Sequence, residues 1–86
     1  MSKREKLLLK LLVGRADQNF AFSDLILILD HYGFQVRIRG SHHIFYRDGV
    51  DEILNLQAKG NLAKPYQVKQ VRELLLKYQL MDDNEA

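Results

Sequence analysis

The sequence predicts a single α+β domain in which two helices lead into a three-stranded antiparallel sheet and a last helix follows. Three observations predict this fold. Apolar residues recur at helical spacing in three segments, they alternate with polar residues in a central stretch, and turn signals separate the segments. The chain has 86 residues, enough for one domain, and 47% of them are hydrophobic, so a core can form.

Two helices are predicted before the sheet. The first covers about Ser2 to Val13 and ends at Gly14, and its apolar positions are Leu7, Leu8, Leu11 and Leu12. The second is predicted from Asp24 to Tyr32. Ser23 is suited to cap its amino end, and Gly33 is suited to the left-handed conformation that ends a helix.

Three strands are predicted in the centre of the chain. Residues Phe34 to Arg39 alternate between apolar and polar side chains, which predicts a half-buried strand with a basic outer face. Gly40-Ser41 is a tight turn, and His42 to Arg47 is rich in the aromatic and branched residues of strands. Asp48-Gly49 is a strong hairpin signal, so Glu52 to Gln57 is predicted to form the third strand.

A loop over residues 58–64 leads to the last helix, which is predicted to begin at Pro65 and to end near Leu80. Helices on either side of a meander can cover one face of the sheet and leave the other open. This α-β-β-β-α order is the arrangement of double-stranded-RNA-binding domains. We therefore expect an N-terminal helix and connection at 1–21, the core at 22–80 and a frayed acidic tail at 81–86.

Positive charge is clustered although the net charge is only +2. The stretch from His31 to Arg47 contains three arginines, three histidines and no acid, and the stretch from Gln57 to Arg72 contains four basic residues and no acid. Clustering of this kind is typical of proteins that bind a polyanion such as nucleic acid. A solvated basic face without a partner is the alternative.

Several classes of function are disfavoured by composition. The chain has no cysteine, which excludes disulfides and thiolate metal sites. Neighbouring histidines on a strand point to opposite faces, so His42 and His43 are no metal signature, and we expect neither a metal nor a cofactor. No apolar run is long enough to cross a bilayer, and Lys10 interrupts the N-terminal one, so no signal peptide is predicted and a cytoplasmic protein is expected.

The direction of the side chains in the second strand decides which histidine is available for chemistry. Alternation places His42 and His43 on opposite faces. Phe45 is the best core candidate and shares a face with His43, so we expect His42 on the open face with Arg37 and Arg39. A bulge at the start of the strand would reverse this, and His43 would then be the candidate.

The open face has residue types suited to cutting RNA. An imidazole takes up or gives a proton near neutral pH, and RNA supplies its own nucleophile in the 2′-hydroxyl. His42 with the two arginines could therefore act without a metal. Gly40 and Ser41 could bind a phosphate by hydrogen bonds, and Tyr46 could stack on a base. For each of these residues the alternative to a role in RNA cleavage is that of an ordinary surface side chain, either exposed or packed against its neighbours.

The chain also resembles a known family. Gly33-Phe34, the basic strand and then Gly40-Ser41-His42-His43-Ile44-Phe45 closely resemble the signature of HicA toxins, and the resemblance runs from about Phe22 to Leu80. It implies the double-stranded-RNA-binding fold, cleavage of messenger RNA, and an antitoxin, HicB, that covers the active face. The family's functional histidine follows Gly-Ser directly and corresponds to His42, and the glycine of that motif corresponds to Gly40.

The chain departs from the family in three places. Its first helix is extra, and could extend the core or contact a partner. Its third strand ends in Leu54-Asn55-Leu56-Gln57, without the histidine that closes this strand in many members. The entry to its last helix, residues 63–68, also differs. Lys64 in that segment is a candidate phosphate contact, or equally an ordinary surface lysine.

The sequence thus predicts a metal-independent endoribonuclease toxin that cuts messenger RNA and has a HicB-like antitoxin as partner. His42 is the expected acid or base, and Arg37 and Arg39 are expected to hold phosphate. Two alternatives stay open: a non-catalytic RNA-binding module of the same fold, and a protein-interaction domain in which Ile44 and Tyr46 meet a partner.

Overall fold

The computed structural model describes residues 2–82, and the rest of the predicted acidic tail, residues 83–86, lies outside them. The helices are α1 (Lys3–Val13), α2 (Phe22–His31) and α3 (Pro65–Lys77), and the strands are β1 (Gln35–Arg39), β2 (His42–Arg47) and β3 (Val50–Leu56). Short 3₁₀ turns cover Asp17–Asn19 and Leu80–Asp82. The predicted α+β order is confirmed. No helix among residues 2–82 has the length and apolar character needed to cross a bilayer.

Helix α1 is part of the domain rather than an appendage. Ser2 caps it, because the Glu5 N–H donates to the Ser2 hydroxyl at 3.1 Å while the Glu5 carboxylate accepts from the Ser2 N–H at 2.8 Å. Leu7 and Leu11 are buried in the common core. Arg72 of α3 donates to the Leu11 carbonyl at 3.0 Å, which fastens the end of α1 to α3.

The predicted start of the second helix was wrong. Helix α2 begins at Phe22 with Ala21 as its cap residue, so Ser23 lies inside the first turn and does not cap it. Tertiary contacts fix this earlier start. Phe22 is buried in the core, and its N–H donates to the Asn61 carbonyl at 3.0 Å. The predicted end is close to correct. Gly33 has a left-handed φ of 84°, and its N–H donates to the Asp30 carbonyl after the last turn.

The three strands form an antiparallel meander in the order β1-β2-β3. The two helices α2 and α3 share one core with the inner side of this sheet. Phe45 of β2 and Leu54 and Leu56 of β3 are all but inaccessible there, and Phe45 pairs directly with Leu54. The opposite side of the sheet has no helix over it among the described elements. This confirms the expectation of one covered face and one open face.

Strand β1 is less buried than the alternation predicted. Phe34 is buried just before the strand, but Val36 is 44% exposed and Ile38 is 59% exposed, although both lie on the same side of the sheet as Phe45. The prediction of a half-buried strand was therefore wrong for β1. The reason is its position at the edge of the sheet, outside the area that the helices cover.

The remaining boundaries differ by a few residues. Strand β3 begins at Val50 and ends at Leu56, because the Asp48-Gly49 turn pairs Arg47 directly with Val50. Helix α3 ends at Lys77 rather than near Leu80, and Gln79 after it has a positive φ of 54°. A non-glycine residue in that conformation does not continue an α-helix.

Candidate active site

The open face of the sheet brings together the basic and aromatic residues of β1 and β2. The pairing is regular: Arg39 lies opposite His42, Arg37 lies opposite Ile44, and Gln35 lies opposite Tyr46. Residues that pair directly point to the same side of a sheet. The prediction that His42 shares the open face with Arg37 and Arg39 is therefore confirmed, and no bulge at the start of β2 disturbs it.

His42 has a partner on the neighbouring strand. Asn55 of β3 pairs with Ile44, and its Oδ1 lies 3.0 Å from Nδ1 of the exposed His42 ring. With the carboxamide in this orientation, its oxygen accepts a hydrogen bond from a protonated Nδ1. The other ring nitrogen, Nε2, then has a free lone pair on an exposed side chain. The contact thus orients the imidazole on the open face.

The turn before His42 has the geometry of a tight hairpin. Gly40 adopts φ 59°, while Ser41 does not have a positive φ, a pattern typical of a type II′ turn. The Ser41 hydroxyl accepts a hydrogen bond from Gln57 Nε2 at 2.8 Å. The turn that positions His42 is therefore attached to the end of the third strand.

The third strand is in turn fixed to helix α3. Gln67 is almost fully buried, with 1% of its surface exposed, and its carboxamide faces the backbone of Gln57. In the orientation that satisfies both polar atoms, its nitrogen donates to the Gln57 carbonyl at 3.1 Å and its oxygen accepts from the Gln57 N–H at 3.0 Å. Gln67 and Gln57 thus connect the core helix to the Gly40-Ser41 turn.

At the other end of the open face, Arg37 and Tyr46 form a platform of one cation and one aromatic ring. The Arg37 guanidinium carbon lies 5.9 Å from the centre of the Tyr46 ring, within the range of a cation–π contact. Arg37 is exposed and Tyr46 is half-buried. An aromatic ring with an arginine beside it is a surface on which nucleic-acid bases stack.

His43 has no place in this site. It lies on the inner face, half-buried, with its ring centre 5.0 Å from that of Phe22 in an edge contact and 6.5 Å from that of Phe45 in a stacked one. Its Nδ1 is buried, and no hydrogen-bond partner for it lies among residues 2–82. His43 was the candidate only if a bulge at the start of β2 placed it on the open face. The pairing of β1 with β2 has no such bulge, so this condition is not met.

Lys64 is not brought to the open face. It is the cap residue of α3, the helix that packs against the inner side of the sheet, and it lines a shallow pocket with Gln18 and Lys59. A phosphate contact by Lys64 stays a prediction. The position of Lys64 at the start of α3 gives no support to a site that it shares with His42. Within residues 2–82, no group of three or more histidine, cysteine or acidic side chains is placed to hold a metal ion.

Sequence reasoning missed Asn55, Gln57 and Gln67. A signal for the first two was present, because Asn55 and Gln57 alternate with Leu54 and Leu56, and polar residues between two core leucines must lie off the core face. Gln67 gave no such signal. Its burial follows from its contact with the backbone of Gln57, which the sequence does not reveal.

The chain matches no protein-family model, no curated protein and no solved structure. The resemblance to HicA toxins therefore depends on the residues around Gly40-Ser41-His42, and a function must be argued from the geometry of the open face.

Proposed function

We propose that this chain is an endoribonuclease toxin of the HicA type, which cuts messenger RNA without a metal and uses His42 to move the proton. The observation that carries the proposal is the pairing of His42 with Asn55 on an open, basic sheet face. A merely exposed histidine needs no partner on the next strand. A general base needs a fixed orientation and a free lone pair. The hydrogen bond from Nδ1 to Asn55 orients the ring and leaves the lone pair of Nε2 available.

The reaction follows from the tautomer. With the proton on Nδ1, Nε2 of His42 accepts the proton of an RNA 2′-hydroxyl. The 2′-oxygen then forms a bond to the adjacent phosphorus, and the bond from phosphorus to the 5′-oxygen breaks. The proton returns to the departing 5′-oxygen from the imidazolium or from water. The products are a 2′,3′-cyclic phosphate and a free 5′-hydroxyl.

The residues around His42 have roles in binding and charge stabilisation. Arg39 lies directly opposite His42, so its guanidinium can reach the phosphate that gains charge as the 2′-oxygen attacks. The exposed Gly40-Ser41 turn directly precedes His42, so its backbone N–H groups are candidates to bind the same phosphate. Arg37 and Tyr46 stack a base further along the strand.

On the same resemblance, the expected protein partner is a HicB-like antitoxin that covers the open face. Two apolar side chains support such a partner. Ile44 lies between His42 and Tyr46, and Ile53, next to the inward Leu54, is 65% exposed. Apolar residues among arginines are typical of a protein interface.

The test is cleavage of a long unstructured RNA by the purified chain in excess EDTA, with the cut ends identified. The proposal expects 2′,3′-cyclic phosphate ends, and no cleavage at a site where a single 2′-deoxynucleotide replaces the attacking ribose. Cleavage that persists at the 2′-deoxy site, or that stops in EDTA, would contradict it.

A non-catalytic RNA-binding module is the second candidate, favoured by the platform of Arg37 and Tyr46, which binds bases without chemistry. It predicts salt-sensitive RNA binding by a protein that leaves the RNA intact, and affinity that survives His42→Ala. Gel analysis of the RNA after the binding measurement separates the two candidates.

A further inference from the structure

The two edges of the sheet differ in how well they are closed. Along β3, the Asp51 N–H donates to the Tyr78 hydroxyl at 3.2 Å, and the backbone of Gln57, just after the strand, is bound by the buried Gln67. Strand β1 pairs with β2 alone, and no other described strand or helix pairs with its outer edge. All five of its side chains are exposed.

The backbone groups at the free edge belong to two residues. Arg39 and His42 flank the two-residue turn, so they form the hydrogen-bonded pair that closes the hairpin. Such pairs alternate along an antiparallel ladder. The N–H and C=O groups of Val36 and Ile38 therefore point away from β2, towards the free edge.

The usual protection of an edge strand is missing on one side. Edge strands are commonly guarded by charges, proline or a bulge. The β1-β2 pairing has no bulge, and β1 has no proline. On the inner side, Val36 and Ile38 are 44% and 59% exposed. On the open face, the side chains of Arg37 and Arg39 form a positively charged row.

These features together select one occupant. An added antiparallel strand would bring its side chains closest to Arg37 and Arg39, at the non-hydrogen-bonded positions, where opposite charges attract and like charges repel. In a second copy of this chain paired along the whole of β1, Arg37 would meet Arg37. The charge pattern therefore favours a different, acidic segment.

We propose that β1 receives, as a fourth strand, an extended segment of a partner protein in which acidic residues alternate with apolar ones. The acidic residues face Arg37 and Arg39, and the apolar ones cover Val36 and Ile38. This proposal depends on the geometry of β1 and not on the proposed nuclease function, so each can fail without the other.

The probe for this surface is a capped octapeptide of alternating glutamate and valine, with the lysine–valine peptide as the matched control. Amide hydrogen exchange is followed by NMR on the whole chain. In the free protein, the amides of Arg37 and Arg39 are expected to be protected and those of Val36 and Ile38 to exchange fast. The acidic peptide is expected to slow exchange at Val36 and Ile38 by about tenfold and to bind about tenfold more tightly than the basic one.

A variant tests the edge itself. Ile38→Pro removes an N–H that points outwards and is tolerated on an edge strand, so it is expected to abolish peptide binding while β1 stays paired with β2. Val13→Thr, an exposed apolar position at the end of α1 and far from β1 in sequence, is the control and is expected to bind the peptide as the unaltered chain does. The peptide comparison on the unaltered chain decides the matter if the proline variant does not fold.

Three results would overturn the proposal. The first is equal binding of the acidic and basic peptides. The second is fast exchange at Val36 and Ile38 with saturating acidic peptide. The third is a dimer of the free chain, seen by sedimentation, in which these two amides are already protected, because a second copy would then occupy the edge.

Discussion

Asn55 Oδ1 lies 3.0 Å from Nδ1 of His42, across two neighbouring strands and on the open side of the sheet. The strand that carries Asn55 is held at its end by the buried Gln67, and the turn that precedes His42 is held by Gln57. The imidazole is therefore oriented before any RNA binds. Preorganisation of this kind is what a general base requires.

Removal of this partner should slow cleavage more than it weakens binding. We expect Asn55→Ala to lower kcat by about tenfold to a hundredfold with little change in KM, because the ring remains but its tautomer and orientation are no longer fixed. Gln35→Ala, on the same face and away from the hydrogen bond, is the control. A kcat equal to that of the unaltered chain would remove Asn55 from the mechanism.

The charge at position 55 should move the pH dependence. In Asn55→Asp, a carboxylate beside the ring favours the charged imidazolium over the neutral imidazole. The free base then appears only at higher pH, so the acidic limb of the kcat profile should shift upwards. A profile that does not move would show that another group sets this limb.

The sequence was sufficient for the element order and for the direction of His42, because Phe45 had to be buried and alternation did the rest. It was insufficient where tertiary contacts override local signals. Ser23 is a good cap residue, yet α2 starts earlier because Phe22 packs in the core. Val36 has a core-like pattern but lies at an edge that no helix covers.

The arginines of the open face should account for part of the salt dependence of RNA binding. Arg39→Ala is expected to weaken binding and to reduce the slope of log affinity against log salt by about one, because one phosphate contact is lost. Lys69→Ala, an exposed charge on α3, is the matched control and should leave the slope nearly unchanged. Equal effects from both variants would mean that RNA binds without using this face.

Glu52 should make stability depend on pH in the acid range. Hydrogen bonds from Lys77 and from the Tyr78 hydroxyl lower the pKa of Glu52 from its ordinary 4.5 to about 2. The charged form is thus favoured in the folded state. Its stabilisation is complete above about pH 4.5 and is lost as the pH falls through about 2.

Thermal unfolding at several pH values checks this. We expect Glu52→Gln to have a lower Tm than the unaltered chain at pH 7, with the difference narrowing below pH 4.5 and vanishing near pH 2. The control is Asp48→Asn, which neutralises a carboxylate in the turn between β2 and β3, where either residue is suitable. Its difference in Tm from the unaltered chain should not narrow at low pH. A difference that stays constant down to pH 2 would contradict the assignment.

Arg72 should stabilise the fold by fastening α1 and the 3₁₀ turn after it to α3. It makes two hydrogen bonds of 3.0 Å to Asp17 and one to the Leu11 carbonyl, and both charged side chains are largely buried. Arg72→Met leaves these acceptors unpaired, so we expect a loss of about 2 kcal/mol in the free energy of unfolding. Urea denaturation measures it, with Lys69→Met as control, and a loss equal to that of the control would contradict this role.

The catalytic role of His42 is tested directly by the rate of RNA cleavage in excess EDTA by His42→Ala beside the unaltered chain. His31→Asn, which changes a histidine at the end of α2, is the matched control. We predict that His42→Ala cleaves at least about a hundredfold more slowly, while His31→Asn cleaves at the rate of the unaltered chain. Equal rates for His42→Ala and the unaltered chain, or no cleavage by any of the three, would exclude His42 as the catalyst of RNA cleavage.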